Sequence, residues 1–444
     1  MGENKTASVA SNNFASRFGA IMAIGSMCVG LGNVWRFPYM VGAFGGGAFV
    51  VAYLICVVAV VAPLAIMEAG IGKGLQKGMI EAYAEALHSK AKGTFFGGLF
   101  SFGYYSMNFF YFAVVGASVY FMYVCGTSLW TSIAPNKIYD AMYAVPVPLA
   151  LCAAGCSIFT AFVIYKGVQG GIEKASKVMM PLMVLFFVIA IVFAAIEVPD
   201  IAKGYEFMFK PDFSKLKDLK VWAAAMGQAC FSIGVGAGCV LTYGSHLSKK
   251  GDVTLSMLTV CMFDTSIGVL AGMAIVPACV AMGLDTTSGP SLIFRVLPTL
   301  FSKLPLGSLI GVLVFLAIFF AAITSAIAQQ EVFVVALSDS FKMWTRNKAC
   351  IVFGVVQTIA AVISVYSQRF FNFWNDVSGN YVFIVSAAIG AIVFGYMFGL
   401  ERIRTEFLNS TSDIKVGPWF TSLLKYIAVP VMLLMMINSI VPLW

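Results

Sequence analysis

Two glycine-rich stretches interrupt apolar runs that are long enough to cross a bilayer. Residues 25–33 read GSMCVGLGN, and residues 231–239 read FSIGVGAGC. Backbone amides and carbonyls cannot stay unpaired in hydrocarbon, so an unwound segment there needs other partners for these groups. A zwitterionic solute and cations can supply them, because helix N-termini favour a carboxylate while exposed carbonyls favour an ammonium group or Na⁺. These stretches therefore indicate a site for a small solute and cations within the membrane.

Glycines along a membrane helix also allow close helix packing, which is the alternative interpretation of either stretch alone. The two stretches lie in the first and sixth predicted spans, so five spans separate their starts. A second copy that begins after five spans has inverted topology. Paired glycine-interrupted spans at corresponding positions point to the binding site of a transporter, so the matching positions favour binding over packing.

Polar residues in two other apolar runs are further functional candidates. Asp264 stands in the sequence FDTS, deep in the seventh predicted span, where an ionisable group is costly and marks a functional site by default. The alternative is an aspartate that pairs with a neighbouring helix. Thr324 and Ser325 interrupt the apolar run 311–328. Their hydroxyls either contact a ligand or donate to carbonyls of their own helix.

The composition predicts a membrane protein. The chain has 444 residues, of which 60% are hydrophobic and 11% are charged. Soluble domains carry about 25% charged residues, and a bilayer span needs about 20 mostly apolar residues. The net charge of +8 is assigned to loops beside anionic lipid rather than to nucleic-acid binding. Most of the ten cysteines lie in apolar runs and are interpreted as buried hydrophobic residues.

Apolar runs separated by polar breaks predict the architecture. Eleven helices are expected near residues 16–40, 46–70, 96–124, 144–164, 175–197, 221–243, 253–282, 306–338, 349–366, 378–399 and 421–442. The predicted fold class is an all-α polytopic membrane protein with two five-helix inverted repeats, broken helices 1 and 6, and one extra C-terminal helix. The bias of Lys and Arg in short loops places the N-terminus in the cytoplasm and, after eleven spans, the C-terminus outside.

The predicted segments follow from these spans. They are a cytoplasmic N-terminal tail (1–15), the first inverted repeat with helices 1–5 (16–200), an extracellular loop (201–220), the second inverted repeat with helices 6–10 (221–400), and a cytoplasmic loop with helix 11 (401–444).

Two motifs carry a resemblance to a known family. Residues 30–38 read GLGNVWRFP, and residues 45–49 read GGGAF. With them the sequence resembles the neurotransmitter:sodium symporters, sodium-coupled transporters of amino acids and amines, over nearly the whole chain. The resemblance implies a symporter of the plasma (inner) membrane, not an enzyme. The resemblance further implies import of an amino acid with two Na⁺ by alternating access, without an organic cofactor. The oligomeric state stays open.

The resemblance implies two sodium sites. The first takes the Cys28 carbonyl, the side chains of Asn33, Ser232 and Asp264, and the substrate carboxylate. The second takes the carbonyls of Ser26, Val29 and Ala321 and the hydroxyls of Thr324 and Ser325. All of these ligands are oxygens, which suit a hard cation such as Na⁺. Many animal relatives have asparagine at the position of Asp264 and need chloride, so a built-in carboxylate predicts chloride-independent transport.

The resemblance also implies a substrate pocket. Tyr105 is expected to donate its hydroxyl to the substrate carboxylate, and Phe231 is expected to cover the substrate. The expected substrate-binding residues are Met27, Cys28, Gly30, Leu31, Gly32, Ser101, Tyr105, Phe231, Ser232, Gly234, Ala237, Ser325 and Gln329. Small residues at Gly234 and Ala237, and walls without a fixed charge, predict hydrophobic and aromatic L-amino acids, including Trp, Phe, Leu and Ile.

An outer gate and a hinge are implied in the same way. Arg36, assisted by Gln228, is expected to pair with Asp376, or with the adjacent position, Asn375. Gly171 and Pro181 are expected to bound a segment that unwinds at the start of the fifth span, because both residues weaken a helix. An ordinary helix start before Pro181 is the alternative.

Two acidic residues complete the expectations. Asp339 matches a cytoplasmic gate acid, but its usual arginine partner is replaced by Ser11, which leaves Lys5 as a substitute. Glu68, in the apolar second span, is expected to accept hydrogen bonds from the broken sixth helix.

Other function classes fit the sequence less well. A channel would need a continuous polar lining, whereas the polar groups here cluster at one depth. A membrane-embedded enzyme would need a nucleophile with a base, or metal ligands. The two histidines, His88 and His246, lie in predicted loops, and Asp264 has no obvious His or Cys partner. The remaining alternatives are an amino-acid sensor on a transporter fold, and a symporter for another small amino acid or amine.

Overall fold

The computed structural model describes residues 13–286, 292–410 and 414–440. Within these ranges every regular element is a helix. Eight helices are long and apolar enough to cross a membrane, and two bent pairs raise the number to ten. One more broken pair, Leu219–Ile233 and Cys239–Ser245, gives eleven segments among the described residues. The all-α polytopic architecture predicted from the sequence is thus confirmed, with breaks in the first and sixth segments.

The first two segments are α1 and α2 (Arg17–Cys28 and Gly32–Ala43, bent by 52°) and α3 (Gly47–Leu75). The next three are α4 (Lys90–Gly126), α5 (Pro146–Tyr165) and α6 (Val168–Glu197). The sixth segment consists of α7 (Leu219–Ile233) and α8 (Cys239–Ser245). The last five are α9 (Val253–Ala281), α10 (Gly307–Ser340), α11 (Arg346–Tyr366), the pair α12 and α13 (Ile384–Met397 and Leu400–Leu408, bent by 84°) and α14 (Trp419–Asn438). Shorter connecting helices include Met79–Ala86, Ile138–Ala144, Ile201–Phe209, Leu297–Ser302 and Gln368–Trp374.

The helices form two packed sets. In the first set, α3 packs against α7, α8 and α9, and α2 packs against α9. In the second set, α4 packs against α5, α10 and α11, and α5 packs against α11. α1 and α6 lie between the sets, because both contact α9 on one side and α10 on the other. The break in the first segment faces α10 and α4 across this seam, where Ser325 and Tyr111 contact it.

The third segment differs from its predicted form. It starts at Lys90 rather than near residue 96, and its helix is interrupted at Met107 before it resumes at Asn108. Met107 keeps helical dihedral angles, φ −56° and ψ −35°, so the helical phase continues across this position.

Candidate substrate and cation site

The first segment breaks where the backbone of Val29 becomes extended, with φ −73° and ψ 108°. Asn33 stabilises the break, since its side-chain Oδ1 accepts a hydrogen bond from the Gly30 N–H at 3.0 Å. Carbonyls in the break then find partners outside their own helix. Ser325 Oγ on α10 donates towards the carbonyls of Met27 and Val29, at 3.4 and 3.3 Å.

The sixth segment breaks at three glycines with left-handed backbone. Gly234, Gly236 and Gly238 have φ of +75°, +84° and +81°, a region that glycine enters without the steric cost that a Cβ imposes. The Glu68 carboxylate accepts a hydrogen bond from the Gly236 N–H at 2.7 Å, as the sequence predicts. Cys28 Sγ donates to the Ile233 carbonyl at 3.3 Å, so the two breaks are in direct contact.

A cluster of buried oxygens joins these breaks to α9. Asn33 Nδ2 donates to Asp264 Oδ1 at 2.8 Å and to the Asp264 carbonyl at 2.9 Å. Ser232 Oγ donates to the other carboxylate oxygen, Oδ2, at 2.8 Å. The three side chains are at most 2% exposed. The described residues contain no group of three His, Cys, Asp or Glu side chains that could hold a metal, so the cluster offers one carboxylate among neutral oxygens.

A second group of oxygens lies between α1 and α10. Thr324 Oγ1 donates to the carbonyls of Phe320 and Ala321 in its own helix, at 2.9 and 3.0 Å, and lies 3.5 Å from the Val29 carbonyl. Thr324 therefore donates mainly to carbonyls of its own helix, whereas the Ser325 hydroxyl donates towards carbonyls of α1. On the same turn of α1, Ser26 Oγ donates to the Ala23 carbonyl and lies 2.7 Å from Ser176 Oγ of α6.

A small cavity of about 30 Å³ lies between the two oxygen groups. Ten of the thirteen substrate-binding residues expected from the sequence line it: Met27, Cys28, Gly30, Leu31, Gly32, Phe231, Ser232, Gly234, Ser325 and Gln329. Three further wall residues, Tyr104, Met107 and Tyr111, were missed by the sequence-based prediction.

The prediction that Tyr105 contacts the substrate is wrong. Tyr105 lies outside the cavity, donates its hydroxyl to the Phe353 carbonyl at 2.5 Å, and stacks on Phe333. Tyr111 takes the place expected for it, because it lines the cavity and its hydroxyl lies 3.4 Å from the Leu31 N–H, which donates to it. Tyr104, Met107 and Tyr111 follow one another at spacings of three and four residues and share one face of α4, whereas Tyr105 lies outside this face, which explains the error.

Two other expected wall residues also lie elsewhere. Ser101 is buried, and its hydroxyl donates to the Gly98 carbonyl one turn back in the same helix. Ala237 is buried in the core around the sixth-segment break, and the cavity wall there is formed by Gly234 instead. Neither side chain lines the cavity, so their size does not set its volume directly.

A larger cavity of about 310 Å³ lies on the other side of Phe231 and is called the vestibule here. Arg36 lines it, donates to Gln228 Oε1 at 3.3 Å, and lies over the Phe231 ring. Gln228 in turn donates to the Gly32 carbonyl at 2.8 Å. The predicted pair of Arg36 with Asp376 is not among the ion pairs found for the described residues, where Arg36 contacts Gln228 and Phe231 instead. The adjacent Asn375 lines the vestibule and Asp376 is exposed.

The opposite end of the bundle, where Phe14 lies, is called the tail face here. Glu331 of α10 is fully buried there and accepts two hydrogen bonds from Arg346, at 2.8 and 2.7 Å. His246, at the end of α8, contacts the same carboxylate at 3.2 Å, and its carbonyl accepts a hydrogen bond from the Phe14 N–H. These contacts link the two helix sets across the seam. The sequence-based prediction missed this contact, although Glu331 stands out in the sequence as a glutamate inside an apolar run.

Asp339 has a different partner from the one expected. Its carboxylate accepts a hydrogen bond from the Gly78 N–H at 2.9 Å, next to α3. Lys5 and Ser11 lie outside the described residues. Among these residues, the charged link across the tail face is formed by Glu331, Arg346 and His246 instead.

Removing the Glu331 charge should loosen the tail face. Glu331→Gln leaves Arg346 without its carboxylate, and breaking a buried ion pair in this way costs about 3–5 kcal/mol. We expect α1 amides to exchange with deuterium at least about tenfold faster, measured by mass spectrometry on purified protein. Glu401→Gln, which removes an exposed partner of Arg404, is the control and should change nothing. Unchanged exchange in folded Glu331→Gln would contradict the assigned link.

The expected hinge at the start of α6 has an irregular backbone. Residues Val168–Glu173 form a π-helical turn, and Pro181 lies inside the following helix. The Glu173 carboxylate accepts a hydrogen bond from the Ala15 N–H at 2.8 Å, so this turn is bonded to the segment that leads into α1.

Two adjacent glycines allow a matched test of this turn. A Cβ on Gly171 would lie 1.8 Å from the Val163 carbonyl oxygen, whereas a Cβ on Gly170 would meet nothing within 4 Å. Gly171→Ala should therefore displace the turn, at a cost of about 1–3 kcal/mol, and lower sodium-driven uptake about tenfold. Gly170→Ala should keep the normal rate. Equal initial rates of uptake by the two variants, at equal protein amounts, would show that transport does not need the close packing of Gly171 against Val163.

Comparison with known proteins agrees with this geometry. The sequence matches the sodium:neurotransmitter symporter family over residues 11–142 and 137–443. A sodium-dependent transporter of Methanocaldococcus jannaschii is 30% identical over 94% of this chain and 87% of its own length. The chain belongs to the sodium:neurotransmitter symporter family. It is therefore a sodium-dependent membrane transporter and not an enzyme.

Other members of the family extend the comparison. A sodium-dependent transporter of Haemophilus influenzae is 28% identical over 96% of this chain and 98% of its own length. The solved structure of MhsT in complex with L-phenylalanine superposes with a TM-score of 0.83 at 28% identity, covering 96% of this chain and 99% of MhsT. The broken helices described above thus lie in a fold that the family shares.

Proposed function

We propose that this symporter imports hydrophobic and aromatic L-amino acids with two Na⁺ by alternating access and without chloride. The observation that carries the proposal is the cluster of Asn33, Ser232 and Asp264, which joins both helix breaks beside the cavity. A symporter needs cation and solute sites that depend on each other. One cluster in contact with both breaks meets that need.

The charge of the cluster suits a monovalent cation. The Asp264 carboxylate neutralises one positive charge, whereas a divalent ion would leave an uncompensated charge in a buried site, which is costly. Asn33 Oδ1, Ser232 Oγ and the Cys28 carbonyl are the neutral ligands of this first site. The substrate carboxylate completes it, so that Na⁺ and the amino acid bind together.

The second site consists of neutral oxygens between α1 and α10. Its ligands are the carbonyls of Ser26, Val29 and Ala321 and the hydroxyls of Thr324 and Ser325. Because these come from two helices of the seam, Na⁺ there favours the arrangement in which α1 packs against α10. Movement of α1 away from α10 separates the ligands and releases the ion.

The substrate site lies in the small cavity. Tyr111 and the N-terminal amides of α2 are placed to receive the carboxylate, and carbonyls of the two breaks are placed to receive the ammonium group. Apolar walls such as Met27, Met107 and Phe231 favour an apolar side chain. The bound phenylalanine of MhsT agrees with this class.

The gates follow from the two faces. We assign the vestibule to the outside, where Arg36 and Gln228 close over the site with Asp376 as the acid. The tail face is assigned to the cytoplasm, with the N-terminus inside, the C-terminus outside and Asp339 beside the charged link. Gly171 and Pro181 bound the segment of α6 that unwinds when α1 moves.

Uptake into proteoliposomes tests this proposal. Labelled tryptophan and leucine are offered under an inward Na⁺ gradient or in K⁺ alone, each with chloride or with gluconate. Uptake that requires Na⁺ and is unchanged in gluconate is the expected result. A requirement for chloride would overturn the role given to the Asp264 charge. Saturable binding without uptake would indicate a sensor, and neither binding nor uptake would refute the substrate class.

A further inference from the structure

Gln329, a wall residue of the small cavity, has a buried amide oxygen without a hydrogen-bond partner among the described residues. Gln329 Oε1 is buried and accepts no hydrogen bond from any residue that the structure describes, although the Gln329 side chain lines the cavity. The next residue offers a direct contrast. Gln330 is equally buried, but its amide donates to the Cys350 carbonyl and accepts from Gln357. A buried amide oxygen without a partner is costly, so its place on a wall residue of the cavity points to a donor on the ligand.

The position of Gln329 on α10 indicates that this donor lies at the far end of the substrate side chain. Ser325 and Gln329 are one helical turn apart on α10, so they face the same way with an axial separation of about 6 Å. Ser325 lies at the level of Gly30 and Tyr111, where the amino-acid head group is proposed to bind. Gln329 therefore lies where the tip of a long side chain would reach, beyond the range of a short one.

Room for such a side chain has to come from movement of the cavity walls, because the small cavity holds about 30 Å³. Met27 and Met107 lie in these walls, and flexible methionines adapt easily to a new occupant. The apolar lining then favours an aromatic ring, with the Gln329 amide as the polar group at its edge.

We infer that Gln329 selects aromatic amino acids whose ring carries a hydrogen-bond donor, with the indole N–H of tryptophan donating to Gln329 Oε1. This deepens the proposed function, on which it rests. A site built around a hydrogen bond to the substrate discriminates against an analogue that lacks the donor, because the buried acceptor is then left unpaired. Phenylalanine binds in the same cavity without this bond.

The test compares tryptophan with 3-benzothienylalanine, in which sulfur replaces the indole N–H with nearly the same shape. Sodium-dependent competition against labelled phenylalanine is measured for the wild type and for Gln329→Met, which keeps the length but removes the acceptor. The wild type should prefer tryptophan about tenfold or more, and the variant should lose this preference while it still binds phenylalanine. Gln329→Leu is the second variant if the first does not fold.

The outcomes separate this inference from the proposed function. Equal affinity for the two compounds in the wild type, or an undiminished tryptophan preference in both variants, would overturn the role of Gln329 while phenylalanine binding still supports the symporter. Absence of sodium-dependent phenylalanine binding in the wild type would instead refute the proposed substrate class, and the inference with it.

Discussion

Uptake by the Asp264→Asn variant should fall by about 100-fold or more in chloride-free medium and recover substantially when chloride is added. Asparagine keeps the size of the side chain and an oxygen for Asn33 or Ser232 but removes the one negative charge of the cluster. A buried cation without its counter-charge costs about 3–5 kcal/mol, enough for this loss. A chloride ion bound nearby can supply the missing charge.

The measurement is the initial rate of sodium-driven uptake in chloride and in gluconate. Asp140→Asn is the control, since Asp140 forms an exposed ion pair with Arg295 and neither residue lines the cavity. Equal uptake by Asp264→Asn and the wild type in gluconate would contradict the assigned role of the charge. Loss of uptake in both media, with normal folding, would show that the carboxylate itself is a required ligand.

The double variant Thr324→Val and Ser325→Ala should bind substrate only at Na⁺ concentrations at least about tenfold higher than the wild type. Valine matches threonine in shape, and alanine removes only the hydroxyl, so α10 keeps its packing while two proposed oxygen ligands are lost. Each hydroxyl that is removed takes away one oxygen ligand of Na⁺, and a tenfold weaker affinity corresponds to a loss of about 1.4 kcal/mol.

The control for this variant is a threonine that only back-bonds. Thr259 Oγ1 of α9 donates to the Leu255 carbonyl at 2.8 Å in its own helix, so Thr259→Val should leave the Na⁺ dependence unchanged. The readout is substrate binding as a function of Na⁺ concentration. A normal Na⁺ dependence in the double variant would mean that Thr324 and Ser325 serve helix packing, the alternative that the sequence left open.

The sequence was sufficient for the features that depend on local chemistry. The glycines in the first and sixth segments predict where the helices break. Because the backbone cannot stay unpaired in hydrocarbon, these breaks also predict a binding site. Asp264 is conspicuous because a charge in an apolar span is energetically costly and therefore marks a functional site. These arguments need no knowledge of which helices are neighbours.

Features that depend on helical phase or on distant partners were missed. Tyr105 and Tyr111 are both tyrosines in one aromatic stretch, and the face of α4 on which each lies decides which of them reaches the cavity. The pairing of Glu331 with Arg346 and His246 joins separate segments of the chain. Nothing in their spacing along the sequence identifies these partners, because tertiary packing brings them together.

The central claim is that Na⁺ and an amino acid share one site between the two breaks. Equilibrium binding of labelled tryptophan to purified protein in NaCl and in KCl tests it most directly. The account predicts saturable binding that needs Na⁺, rises more than linearly with its concentration, and is lost in Asn33→Ala. Equal binding in NaCl and KCl would contradict the shared site.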